Sequence, residues 1–361
     1  MKRRLRKLLL KIFVSSGGAA LYRWLNRKRV LIVDMHGIGD EQDSDTWVPL
    51  RPQHSAATVR AYVESICRYY SPVSIDDAVE GLSGRCELPP NPVVFTFDDG
   101  YRSNLEPGAG ILEDNDSAFV LYVSTGHVED RSPFWFDRLD YAIQSLQEPI
   151  GNLQVFGEAA SLRIERRDDM RSDFSRIRRL LKSRAPNDAA MMDEVERLLA
   201  EMKNHGASML EDVFECDNWT VLATKAEVAE YSQKSNVIIG SHTRSHLRLG
   251  HADEESVLWE LSKSAADIEE WTTQAPLHFA YPDGSFDDQV KSLVAEAGYV
   301  SAVTTMYGLN SIGDDLLMLK RIHLPYTFDR TELIAAISGL FESTARVRTA
   351  LRGVRPVTYQ R

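Results

Sequence analysis

Three apolar runs in this chain empty directly into polar, turn-forming motifs. Val93–Phe97 leads into Asp98-Asp99-Gly100, Val237–Gly240 into Ser241-His242-Thr243-Arg244-Ser245-His246, and Leu277–Tyr281 into Pro282-Asp283-Gly284. Short β-branched and aromatic runs bounded by glycine and proline read as buried strands, and polar residues directly after them sit at the strands' carboxyl ends. Further runs of this kind are Val30–Val33, Ala118–Val123, Val300–Thr304 and Met318–Leu324. Helical periodicity falls between most of them, at residues 55–70, 75–82, 257–272 and 287–297. Alternating strands and helices imply a parallel α/β sheet or barrel, and in such folds the carboxyl ends of the strands gather on one rim.

The residue types at that rim suit hydrolytic chemistry. Neighbouring residues leaving a strand point in different directions, so one acid of Asp98-Asp99 can bind a metal while the other faces a water molecule as general base. Asp-Asp-Gly is also ordinary turn chemistry. His242 and His246 are spaced i, i+4, which lets two imidazoles converge on one cation, and a carboxylate from elsewhere would complete a three-ligand set with open positions; Asp99 is the natural third ligand.

Through its Thr-Phe-Asp-Asp-Gly and His-Thr-x-x-His motifs the chain resembles the polysaccharide deacetylases, carbohydrate esterases with a NodB-like catalytic domain. The resemblance implies a distorted (β/α) barrel of about seven parallel strands, with Asp98 as catalytic base and Asp99, His242 and His246 as ligands of one divalent metal, zinc by first expectation. Phe279-Ala280-Tyr281-Pro282-Asp283-Gly284 is similar to a groove-wall motif of the family, in which the tyrosine N–H helps hold the oxyanion, so Tyr281 joins the catalytic candidates and Pro282 the substrate contacts. The commoner form of that motif carries an arginine that orients the base. Here Phe279 and Ala280 precede the tyrosine, leaving the orienting cation open. The Leu319-Lys320-Arg321-Ile322-His323 run is similar to the end of the domain in this branch and offers Arg321 and His323, with His323 as general acid or as a structural histidine. No Asp-x-x-x-Trp segment that would tune that histidine is found. His36, after Val30–Val33, and Tyr101, after the acidic pair, complete the expected substrate contacts. His54, His127, His205, His251 and His278 stand in no comparable context.

The resemblance spans most of residues 30–335 except about 134–225, where charged helical stretches dominate; this reads as a helical insertion forming either a wall of the cleft or a packing appendage. Phe134, Trp135 and Phe136 within it are candidates to stack on sugar rings, or core. Residues 1–29 hold ten Lys or Arg and no acid, with Leu5, Leu8, Leu9, Ile12 and Phe13 at helical spacing. A basic amphipathic segment of this kind suits an anionic membrane surface; a degenerate signal or a solvated tail are the alternatives, and it is too short and interrupted for a membrane span. Residues 336–361 form a second basic segment. Net charge of −11 excludes nucleic acid as a natural partner, and 43 % hydrophobic residues are ample for a core. Cys67, Cys86 and Cys216 show no disulfide or metal spacing, fitting a reducing compartment.

The expected function is metal-dependent removal of an N-acetyl group from an amino sugar in a glycan, extending to a lipid-linked or membrane-associated saccharide of the cell envelope, at the cytoplasmic face of the inner membrane or after export. A non-catalytic glycan-binding barrel, or an O-acetyl esterase or deformylase on the same site, are the competing readings.

Overall fold

A computed structural model of the protein describes residues 2–39 and 47–342. Most of the basic C-terminal segment, 343–361, lies outside the described residues, and none of the described helices is long and apolar enough to cross a membrane.

The expected parallel α/β barrel is what the chain forms. Strands β1 (Leu31–Met35), β3 (Pro92–Phe97), β4 (Phe119–Val123), β7 (Val237–Ser241), β8 (His278–Ala280), β9 (Ser301–Tyr307) and β10 (Leu319–His323) are linked in the order β1-β10-β9-β8-β7-β4-β3. A parallel pairing of β1 with β3 closes the ring, and β2 (Ser71–Pro72) adds an extra short strand on β3. Because strand side chains alternate, every second residue faces the lumen. One buried cluster draws Ile32, Val94, Val120, Tyr122, Ala280, Val303 and Leu319 from the barrel strands, packed against Ile75, Val79 and Leu82 of α4 (Ile75–Leu82). The ring of Tyr122 fits there because its neighbour across the sheet is Gly240, where a Cβ would lie 2.5 Å from the ring.

The alternate set, including Leu31, Val33, Phe95, Phe97, Phe119 and Leu121, packs outward in the larger core beneath the surrounding helices. Following the inward stripe along each strand takes the sequence from apolar to polar: Ile32 to Asp34, Val94 to Thr96 to Asp98, Leu319 to Arg321 to His323. The switch happens at the carboxyl rim on every one of these strands, which is how alternation alone gathers the site.

Between β4 and β7, after the short helix α6 (Thr125–Asp130), lie α7 (Trp135–Ser145), α8 (Arg167–Arg184), α9 (Asp188–Asn204) and α10 (Lys225–Ser232). The same stretch also holds an antiparallel hairpin, β5 (Ile150–Val155) and β6 (Glu158–Leu162), where the sequence offered few strand signals. Only Ile150, Leu153, Val155, Ala160 and Leu162 of this hairpin are buried, and Glu158-Ala159-Ala160 has little intrinsic strand preference, so the pairing is set by packing. The segment is fastened to the barrel. Arg248, just beyond the histidine motif, places Nε 2.6 Å from Asp188 Oδ1 and donates to the Lys182 carbonyl. Lys182 in turn pairs with Asp283 at 2.6 Å. Arg167 and Arg171 donate to the carbonyls of Val48, Pro49 and Leu50.

At the amino terminus, α1 (Lys2–Ser15) packs on α13 (Arg330–Ile337) through buried Leu10 and the ion pairs Arg6–Glu332 and Lys7–Asp329. Leu5, Leu8, Leu9 and Ile12 stay more than half exposed, as do Leu21, Trp24 and Leu25 in and beside α2 (Gly18–Leu25).

Candidate active site

Asp98 and Asp99 leave β3 at the rim, and the turn that follows is sharp: Asp99 takes φ 77° and Gly100 φ 85°. A side chain at Asp99 in this left-handed region is strained, as are Thr243 (63°) and His246 (58°) in the histidine motif. Strain at two of three candidate ligands marks positions held by their surroundings.

The strain brings Asp99 Oδ1 to 3.6 Å from the Nε2 atoms of both His242 and His246, and all three groups are nearly sealed from solvent. The Nδ1 of His242 lies 2.8 Å from the Ala280 carbonyl, which can only accept, so Nδ1 carries the proton and Nε2 offers its lone pair. Burial pushes His242 down, and burial with the neighbouring His242 pushes His246 well down, leaving both as neutral donors. Asp99 is raised to about 8, chiefly by burial, partly offset by Arg51 and reinforced by Asp98. Two neutral imidazoles and a buried carboxylate lacking a full counter-charge form a donor set that fits a divalent cation.

Asp98 is gripped from β10. Arg321 donates from NH1 to Oδ1 at 2.8 Å and from NH2 to Oδ2 at 2.7 Å, with Nε bonded to the Thr304 carbonyl. This supplies the orienting cation missing ahead of Tyr281. NH1 of the same guanidinium also lies 3.3 Å from Asp34 Oδ1, and Asp34 Oδ2 lies 3.3 Å from His323 Nδ1. Burial opposes the Asp34 charge, yet Arg321 with His36 and His323 more than offsets it and holds the carboxyl well below the usual range. Asp34 is a candidate site residue that the sequence did not single out; a carboxylate inside an apolar strand, two residues before His36, was the available signal. His323 is partly exposed, and its ring lies 5.9 Å from His36 and 6.2 Å from His54. Burial lowers His36 to about 4, against the pull of Asp34 and Asp98.

Three expectations need correction. The Tyr281 N–H, assigned to the oxyanion, already donates to the Val303 carbonyl at 3.2 Å, because β8 and β9 continue their pairing through that residue. Tyr101, expected to touch substrate, is fully buried; its hydroxyl donates to Asp137 and accepts from Arg51, so it braces those two side chains. Pro282 is likewise buried and shapes the turn rather than a contact surface. Phe134 and Phe136, stacked at 5.2 Å, are core; their edges pack on His246 at 5.3 and 6.0 Å. His127 and His54, read as ordinary, line the surroundings: His127 packs 4.2 Å from Phe134, and His54 lies 4.9 Å from Tyr326.

Known proteins resemble this chain in part of its sequence and in its fold. Residues 186–302 match the family model for polysaccharide deacetylase, a span that includes both histidines and Tyr281. No curated protein matches the chain in sequence. Among solved structures, the Streptococcus pyogenes deacetylase PplD in complex with acetate aligns with a TM-score of 0.54 at 16 % identity, over 86 % of this chain and 98 % of that one. A polysaccharide deacetylase from Bacillus cereus gives 0.52 at 16 %, over 86 % and 69 %, and IcaB from Ammonifex degensii 0.51 at 14 %, over 86 % and 97 %. At these identities the structural likeness speaks for the fold. Over residues 186–302 the sequence is similar to the polysaccharide deacetylase family, and most of the chain shares the barrel fold of these solved deacetylases.

Proposed function

We propose that the chain is a metal-dependent hydrolase that removes an N-acetyl group from an amino sugar within a glycan of the cell envelope. The observation that carries this reading is the pairing of a forked Arg321–Asp98 contact with the Asp99, His242 and His246 triad on one rim. A divalent ion held by those three residues, zinc by the character of the donors, would polarise the acetyl carbonyl as a Lewis acid. Asp98 takes the proton of the attacking water, and Arg321 fixes which way its carboxylate faces. His323, held at Nδ1 by Asp34, gives a proton to the departing amine through its other nitrogen. His36 beside it contributes to binding the sugar. Acetate and a free amino sugar result.

Residues 30–335 form the catalytic unit in this reading, and residues 1–29 its attachment to an anionic bilayer at the inner membrane surface. Support for attachment is the exposed stripe of Leu5, Leu8, Leu9 and Ile12 with Leu21, Trp24 and Leu25, in a segment with ten basic residues and no acid. Sedimentation with vesicles containing phosphatidylserine tests it; equal recovery with neutral vesicles, or none with either, rejects it.

The catalytic reading is tested by acetate release from N-acetylated glycans by zinc-reconstituted protein. Asp98→Asn should abolish turnover while keeping one metal per chain. Full activity in Asp98→Asn rejects the base assignment.

A further inference from the structure

Helix α8 carries Arg178 to the edge of the site with no ion pair or hydrogen bond to a carboxylate among the described residues. Its guanidinium carbon lies 5.4, 5.5 and 6.0 Å from the ring centres of Phe174, Phe136 and Trp135. Its Nε is sealed from solvent and has no acceptor, and no described acidic side chain pairs with it. Arg51 lies over the same Phe136 ring at 4.6 Å, with NH2 shared between Tyr101 and Asp137 and its own Nε without an acceptor. Two residues on, neither amide atom of Gln53 has a partner.

The nearby carboxylates are already committed. Asp137 holds Arg51 and Tyr101, Asp140 accepts from the Leu50 and Arg51 N–H groups, and Asp283 holds Lys182. Burial, with Arg51 adding to it, holds Arg178 below its usual range. A partly buried guanidinium whose sealed Nε has no acceptor and which no described carboxylate bonds is unfavourable, and this acidic chain had many carboxylates available for the place. Phe136 also packs against His246, so each guanidinium is a single aromatic ring away from a candidate metal ligand.

We propose that Arg178 and Arg51 form a subsite for an oxyanion group, carboxylate or phosphate, borne by the glycan beside its acetamido sugar. The proposal rests on the hydrolase reading above and names the substrate class for it. Stacked guanidiniums are planar, pre-oriented and weakly hydrated, and they offer paired N–H donors that match carboxylate and phosphate oxygens. Lysine would provide the charge without that fork. The segment between β4 and β7 thereby selects charge while the barrel supplies the reaction.

The experiment uses the full metal-loaded chain carrying Asp98→Asn and measures binding calorimetrically. Three probes are compared: N-acetylglucosamine 1-phosphate, a hyaluronan tetrasaccharide bearing glucuronate, and neutral N-acetylchitotetraose. At least one charged probe should bind about 10-fold or more tightly than the neutral one, and Arg178→Gln should erase that advantage while leaving the neutral affinity within about twofold. Preference for the first probe identifies phosphate, for the second uronate. Arg178→Lys should lose most of the advantage if the fork matters. Equal binding of charged and neutral probes overturns the subsite, and so does an Arg178→Gln loss that extends equally to the neutral probe, which would mark Arg178 as structural. Failure of the hydrolase reading is separate: the unsubstituted enzyme would release acetate from none of the probes while Arg178-dependent anion binding persisted.

Discussion

Arg321 binds Asp98 through two parallel N–H···O contacts across the barrel mouth, from β10 to the end of β3. Both groups are buried, so the pair is a fixed geometric element rather than a surface attraction. Arg321→Lys keeps a charge but not the fork, and kcat should fall about 10- to 100-fold with metal content unchanged, the equivalent of ~1.5–3 kcal/mol for charge-assisted hydrogen bonds. Arg321→Ala strands both Asp98 and Asp34 and should destabilise the fold by about 3–5 kcal/mol. Steady-state kinetics and thermal melts separate the two effects.

Asp34 Oδ2 lies 3.3 Å from His323 Nδ1, and in the proposed reaction Asp34 acts through that histidine. Asp34→Asn should lower kcat with little change in KM, and the Asp34→Asn, His323→Gln double variant should be no slower than His323→Gln alone, because the two residues work as a unit. Additive losses would show that they act independently.

Metal entry should expel a proton. Asp99, raised to about 8, holds its proton at pH 7 without metal, whereas both histidines are already neutral. Zinc titrations in buffers of different ionisation enthalpy should show about one proton released per metal at pH 7, declining as the pH rises through about 8. Proton-free binding at pH 7 would contradict the burial argument for Asp99.

His54 makes stability depend on acid. Burial, with the charge of His323, lowers it to about 4 from an ordinary 6.5. Between those values the unfolded chain binds a proton that the folded protein refuses, so stability is intact above about pH 6.5 and is lost as pH falls toward 4, by on the order of 3 kcal/mol. Metal-loaded protein should therefore melt at lower temperature as pH drops through this window, and His54→Gln should flatten the slope.

The buried Arg248–Asp188 pair clamps the inserted segment to the histidine loop. Asp188→Ala should cost about 3–5 kcal/mol, since it leaves a buried arginine unpaired, and limited proteolysis should cut within residues 163–205 before the barrel strands.

Much of the barrel was legible because its strands are short apolar runs that end in polar turns, and the inward stripe Val94, Thr96, Asp98 needs only alternation to be read. The grouping of Asp99 with His242 and His246 as a candidate ligand set was legible in the Asp-Asp pair and the i, i+4 histidines. Contacts made across the ring were not legible. Arg321 and Asp98 are far apart in sequence and meet because β10 and β3 both flank β1. The engaged Tyr281 N–H depended on how far the β8–β9 ladder extends, and ladder ends carry no local signal. Arg51 lies in a proline-bounded loop and Arg178 on a helix rich in arginine, and nothing in either stretch distinguishes these two from their neighbours.

The junction between β4 and β7 has a consequence for how such a domain can be altered. These strands pair residue for residue from Phe119↔Val237 to Val123↔Ser241, although residues 124–236 intervene between them. Closing a longer loop adds entropy cost only logarithmically, and the ladder itself is indifferent to what the loop contains. The junction thus behaves as a socket. A different segment could be plugged in there, with other side chains facing the cleft, provided that it kept the aromatic packing on His246 and the carboxylate that clamps Arg248, so that specificity could be exchanged without rebuilding the chemistry.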